Sequence, residues 1–198
     1  MKTKVLAALL VCVSMSAGAD LTVVGDFSTQ YAGYTLDDSL YAAFTDYVDL
    51  PYTFVRSAVY ADSDRSNYVY LYQVTNMNFI STSMLHGFSA ADFEGLTANT
   101  AIGYISGAVP TDFIANGNVP VSGDAHDKTI EFSFEIPAML YSAVLFVESP
   151  YSSGVIDGYL QDGGHSSGQV LGAIPEPATM GLLLFGSLLA VRRQRAGC

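Results

Sequence analysis

The stretch KTIEFSFEI, residues 128–136, alternates without a break. Ile130, Phe132, Phe134 and Ile136 fall on one side of an extended chain, and Thr129, Glu131, Ser133 and Glu135 on the other, because successive side chains of a strand point to opposite faces. Apolar β-branched and aromatic residues at a strict period of two predict a strand with one face buried and one in water. Working outward, YVYLYQVT (68–75) has Tyr68, Tyr70, Tyr72 and Val74 on one side and Val69 and Leu71 on the other. Apolar residues on both faces predict a more central strand. YTFVRSAVY (52–60) and YSAVLFVES (141–149) read the same way, and weaker strand patterns lie at 21–27, 77–81, 84–88, 100–106 and 154–160.

Turn-forming clusters separate these segments: ADSDRSN, NGN, SGDAHDK and QDGGHSSG are rich in residues that cap turns or tolerate positive φ. Two short helical turns are also expected. One starts near Asp38 or Ser39 and buries Leu40, Phe44 and Val48; the other, SAADFEG, places Ser89 three residues before Asp92, a capping-box spacing. Many strands with turn punctuation predict an all-β body, an antiparallel β-sandwich or jelly roll, over residues 20–171.

Both ends differ from this body. Residues 1–19 carry Lys2 and Lys4, an apolar run, and small residues closing at Ala19 before Asp20, the three parts of a secretory signal peptide formed as a helix and cut between those two residues. Residues 172–198 begin as a short proline-containing linker and continue into an apolar run at 178–191 with Arg192, Arg193 and Arg195 behind it. As a helix that run reaches about 21 Å, short of the roughly 30 Å of a hydrocarbon core. Flanking residues that enter the interface and snorkelling arginines make it a marginal span. By the positive-inside rule the arginines stay in the cytoplasm, as Lys2 and Lys4 do during export, and the body lies outside.

Between the ends, eighteen acidic residues face three basic ones, Arg56, Arg65 and Lys128, a formal charge of −15. Such a field disfavours nucleic acid and anionic lipid and favours solubility. Cys12 and Cys198 both fall in the terminal segments, so the body has neither disulfide nor cysteine nucleophile and depends on packing.

Pro175, Glu176 and Pro177, followed directly by the apolar run and the basic cluster, resemble the PEP-CTERM sorting signal of Gram-negative bacteria. The resemblance covers about the last twenty-five residues. It implies export through the Sec machinery and signal peptidase, transient anchoring in the inner membrane, and removal of the tail by exosortase, an integral membrane cysteine transpeptidase; a permanent anchor is the alternative. A discarded hydrophobic tail that delivers cargo to a membrane enzyme has the logic of a GPI signal. The body is similar to PEP-CTERM proteins carrying YQVTN early, here residues 72–76, and IP....SAVLFVES followed by DGG, here 136–149 and 162–164. That similarity implies fold and destination, a cell-surface or extracellular protein accompanying exopolysaccharide and biofilm, and no activity.

No residue is assigned a catalytic role and no cofactor is expected. GHSSG (164–168) fits G-x-S-x-G around Ser166, but a nucleophile elbow needs a following helix and a later histidine, so a flexible turn is expected. Asp62, Asp64 and Asn67 in DSDRSN are calcium candidates that depart from the EF-hand loop, and Asp124 and Asp127 sit in a second expected loop. His86, His126 and His165 are too dispersed for a metal triad and are expected on exposed loops. Thirteen tyrosines without a tryptophan allow a sugar-stacking platform, yet Tyr68, Tyr70 and Tyr72 lie on the strand expected to be covered. The expected role is therefore structural or adhesive, with a secreted carbohydrate- or calcium-binding module as the alternative and an acid-based hydrolase as a third.

Overall fold

The computed structural model describes residues 21–44, 53–77, 84–97, 99–161 and 165–175. Two sheets hold more than half of them. The larger runs β1 (Thr22–Val24), β6 (Ile102–Ile105), β10 (Val144–Ser149), β4 (Tyr68–Asn76), β3 (Thr53–Ala61) and β2 (Thr35–Phe44), with β9 (Leu140–Tyr141) paired to the end of β4. The smaller runs β12 (His165–Ala173), β11 (Ser153–Gln161), β5 (Leu85–Ala90), β8 (Thr129–Ile136) and β7 (Ser122–His126). Pairing between these strands is antiparallel except that β1 runs parallel to β6. Gly103 makes that contact possible, since a Cβ there would collide with the Thr22 carbonyl.

The alternation read from the sequence determines which faces meet. Ile130, Phe132, Phe134 and Ile136 of β8 point inward beside Leu85, Phe88 and Leu160, and against them from the larger sheet stand Val55, Val59, Tyr70, Tyr72, Leu145 and Val147. Strand β4 is covered on both sides. Its Val69 and Leu71 enter a second cluster with Ala58, Val144, Phe146 and Ile105, roofed by Phe27 and Tyr31 around the one-turn helix α1 (Phe27–Gln30) and by Phe113.

Two expected helical turns are strands or turns instead. Residues 38–44 pair with β3, from Asp38 against Val59 to Phe44 against Thr53. The Leu40-to-Phe44 spacing suits either period, and Ala42 breaks the tie: Leu40, Ala42 and Phe44 all pack on the inter-sheet core, as alternate residues of a strand must. Val48 lies outside the described residues. In SAADFEG, Ser89 and Ala90 finish β5 and Asp92 takes φ 60°, which no helix accommodates. Phe93 turns into the core there, its N–H donating to the Lys128 carbonyl.

SGDAHDK is likewise mostly strand. Residues 122–126 form β7, and the turn itself is only Asp127 and Lys128, both at positive φ. That is the two-residue hairpin geometry matched to the twist of its strands. Among the described residues no helix is long and apolar enough to cross a membrane; the signal segment and the apolar run at 178–191 lie outside them.

Candidate functional site

The loop joining β3 to β4 holds the calcium candidates. Asp62 Oδ1 accepts from the backbone N–H groups of Ser66 (2.8 Å) and Asn67 (3.3 Å), and Oδ2 accepts from Ser66 Oγ (2.8 Å) and Asn67 Nδ2 (3.4 Å). Desolvation, the largest single influence, pushes this carboxyl upward, and the bonds from Ser66 and Asn67 together outweigh it, leaving it below the usual carboxylate range. Its oxygens are engaged in holding the turn. Asp64 is exposed and accepts from Ser63 Oγ, while Asn67 turns its amide nitrogen, not its oxygen, toward Asp62. Arg65, left-handed at φ 54°, pairs with Asp37. The three candidates therefore build a self-satisfied hairpin loop and do not converge on a common point.

Asp124 is carried on β7 with His126 Nδ1 3.3 Å from its Oδ2, and Asp127 is in the adjoining turn. His86 is exposed on β5 and His165 opens β12, so neither is the loop residue expected. No group of three or more histidine, cysteine or acidic side chains gathers among the described residues.

The expected turn at GHSSG is overturned from His165 onward, where the chain is β12, paired with β11 along its whole length. Ser166 is buried and its Oγ has no hydrogen-bond partner among the described residues. Gly168, the second glycine of the motif, has a packing role. Gly158 and Gly168 stand opposite each other, and the ring of Phe44 fills the hollow over both, 3.1 Å and 2.7 Å from where their Cβ atoms would be. An aromatic ring laid over paired glycines repairs a weak point in a sheet.

Tyr68, Tyr70 and Tyr72 are buried, and two of their hydroxyls brace distant backbone: Tyr70 donates to the Tyr151 carbonyl (2.7 Å) and Tyr72 to that of Leu171 (2.6 Å). Among the described residues the exposed tyrosines do not form a row. Tyr41 stacks on Phe54 under the Arg56 guanidinium on the larger sheet, and Tyr159 stands on the outer face of the smaller. Beside Tyr159, over Gly87, is a hollow of about 180 Å³ edged by Ser89, Glu131, Ser133 and Gln161.

β12 is the last strand among the described residues. The strand runs through Ala173, beyond the expected start of the linker at residue 172. Ile174 donates its N–H to the Ser152 carbonyl (3.0 Å) and lays its side chain over Gly154. Pro175 is exposed and helps line a hollow of about 350 Å³ with Arg65, Tyr68, Pro150, Tyr151 and Ser152. No family model, curated protein or solved structure matches this chain. The sorting reading therefore stands on residues 175–198 themselves; Glu176, Pro177, Arg192, Arg193 and Arg195, like Ala19 and Asp20, lie outside the described residues.

Proposed function

We propose that this chain is an exported bacterial surface or extracellular-matrix protein, parked in the inner membrane by its apolar tail and cut near Pro175-Glu176-Pro177 by an exosortase-type transpeptidase. The all-β body is the cargo, with a structural or adhesive role beside exopolysaccharide in a biofilm. The observation that carries this reading is the order of three parts, motif, apolar run and arginine cluster, starting directly after Ile174, which packs on the body. A body whose tyrosine strand is covered, and whose buried hydroxyls serve as braces, supports a structural role over a catalytic one.

Intact mass of protein recovered from cell surface and medium, with and without the transpeptidase, tests it. Loss of both ends only in the presence of the enzyme is the expected result; a tail retained in normal cells replaces the sorting signal with a stable anchor. The hollow beside Tyr159 favours one second reading, a carbohydrate-binding module, in which a sugar ring lies on the phenol and its hydroxyls meet Gln161, Ser89 and Glu131. Calorimetric titration with neutral oligosaccharides, repeated on Tyr159→Ala, decides between the two.

A further inference from the structure

We infer that the surface around Pro175, formed by Tyr151, Pro150, Ser152 and Arg65, is the face on which the processing enzyme rests. This rests on the sorting reading and deepens it. An enzyme that cuts a polypeptide grips an extended segment, and each residue of such a segment advances the chain by about 3.3 Å. Three residues upstream of a cut near the motif reach back to Gly172, Ala173 and Ile174. None of these is free. Ala173 is buried and its carbonyl accepts from the Glu94 N–H, and Ile174 is bonded to Ser152 and packed over Gly154. The cleft of the enzyme therefore closes on Pro175 and the residues after it, and its rim meets the residues around Pro175.

Those residues have the make-up of an interface anchor. Tyr151 is 40% exposed, yet it is held firmly. Its carbonyl accepts from Tyr70 Oη, its N–H donates to Ser149 Oγ, and its ring lies against Gly95, where a Cβ would come within 2.5 Å. Immobilised exposed aromatics and arginines contribute most at protein interfaces because little conformational entropy remains to be lost. Arg65 pairs with Asp37 through one terminal nitrogen, leaving other donors of its fork outward. The remaining cations of the body are engaged elsewhere, Arg56 over Tyr41 and Lys128 with Glu94. The partner is thus the exported side of a membrane-embedded cysteine transpeptidase, offering apolar surface to Tyr151 and Pro150 and an acceptor to Arg65.

The full-length chain, expressed in cells holding the enzyme, is scored by mass for the rate of tail loss. Tyr151→Ser combined with Arg65→Asn, the latter chosen because asparagine tolerates positive φ, is expected to slow processing about tenfold, the equivalent of losing one strong interface contact. Inserting a flexible linker of about six residues between Ile174 and Pro175, some 20 Å when extended, lifts the cleft off this face, so it should slow processing of the otherwise wild-type chain and leave the double variant no slower than before. Processing of the double variant at the wild-type rate, or a linker that slows the double variant as much as it slows the wild-type chain, overturns the inference.

A cross-link separates docking from peeling of the strand end. Ser153 and Ala173 are opposite partners, and the Ala173 carbonyl turns away to Glu94, so theirs is the closely spaced kind of antiparallel pair that a disulfide spans. The variant Ser153→Cys with Ala173→Cys should be processed normally; if the staple blocks processing, β12 must unzip and the inference fails. Retention of the tail by the wild-type chain overturns both this inference and the sorting reading. Normal wild-type processing with indifferent variants overturns this one alone.

Discussion

The Tyr72 hydroxyl, fully buried between the sheets, donates to the carbonyl of Leu171 at 2.6 Å across 99 residues of chain. The N–H of the same leucine donates to Ser57 Oγ at 3.1 Å. Strand β12 is an edge of its sheet, and an edge strand leaves alternate backbone groups unpaired. At Leu171 those groups are taken by two side chains of the opposite sheet, which closes this side of the sandwich.

Tyr72→Phe keeps the ring and removes the donor, leaving the Leu171 carbonyl buried without it. A loss of about 1–2 kcal/mol is expected, measured as a lower urea midpoint at unchanged slope. Ser57→Ala should cost a similar amount. Because both bonds end on one residue, the double variant should depart from additivity.

Buried phenols also set an alkaline limit. Burial, followed by the neighbouring Tyr70, pushes the Tyr72 hydroxyl well up, and burial, followed by Tyr68, does the same at Tyr70. A raised pKa in the folded state means that the unfolded chain releases these protons first. Stability is therefore fully present below the unfolded value near pH 10 and is lost as pH rises above it, with each tyrosine adding a slope of at most about 1.4 kcal/mol per pH unit. Urea unfolding between about pH 8 and pH 11.5, followed by phenolate absorbance, should show a subset of tyrosines that ionise only on unfolding. Independence of pH across that range contradicts the buried hydroxyl bonds.

Gly168→Ala places a methyl group where the Phe44 ring already lies, 2.7 Å away. Overpacking of a filled core typically costs about 1–3 kcal/mol. Phe44→Leu shortens the obstructing side chain, so the two changes together should destabilise by less than their sum, a coupling readable in a double-mutant cycle. Additive losses would mean that the ring does not occupy the hollow.

Met139 has φ 67° in an exposed turn closed by the Leu140 N–H to Pro137 carbonyl bond. Glycine takes this conformation without steric penalty. Met139→Gly should stabilise the protein by about 0.5–1 kcal/mol, seen as a higher denaturation midpoint.

Local period makes part of the fold legible in the chain. Strands β8, β4, β3 and β10 can be read there because each has an apolar pattern strong enough to identify its buried faces without knowledge of its neighbours. The pattern of β2 is ambiguous, since Leu40 and Phe44 satisfy both helix and strand spacing and only the pairing with β3 chooses between them. Strand β12 escapes a sequence reading because HSSGQVLGA has little apolar material in its first half. Its glycines look like turn residues, while in the fold they are recesses for Phe44 and Ile156. The calcium candidates stand out in the sequence for their oxygens, and hydrogen bonds within the loop, invisible in a linear spacing, engage them.

Composition and order alone determined the β class, the central strands, and a terminus built as motif, apolar run and arginines, because each is a property of neighbouring residues. Only the tertiary structure decided that the sheet runs on through Ala173 and what surrounds the residues just before the motif. Ile174 packs on Gly154 and bonds to Ser152, and Tyr151 is braced by Tyr70 from another strand. Contacts between residues far apart in the chain arise from how two sheets fit together, and that fit depends on which side chains are missing as much as on which are present.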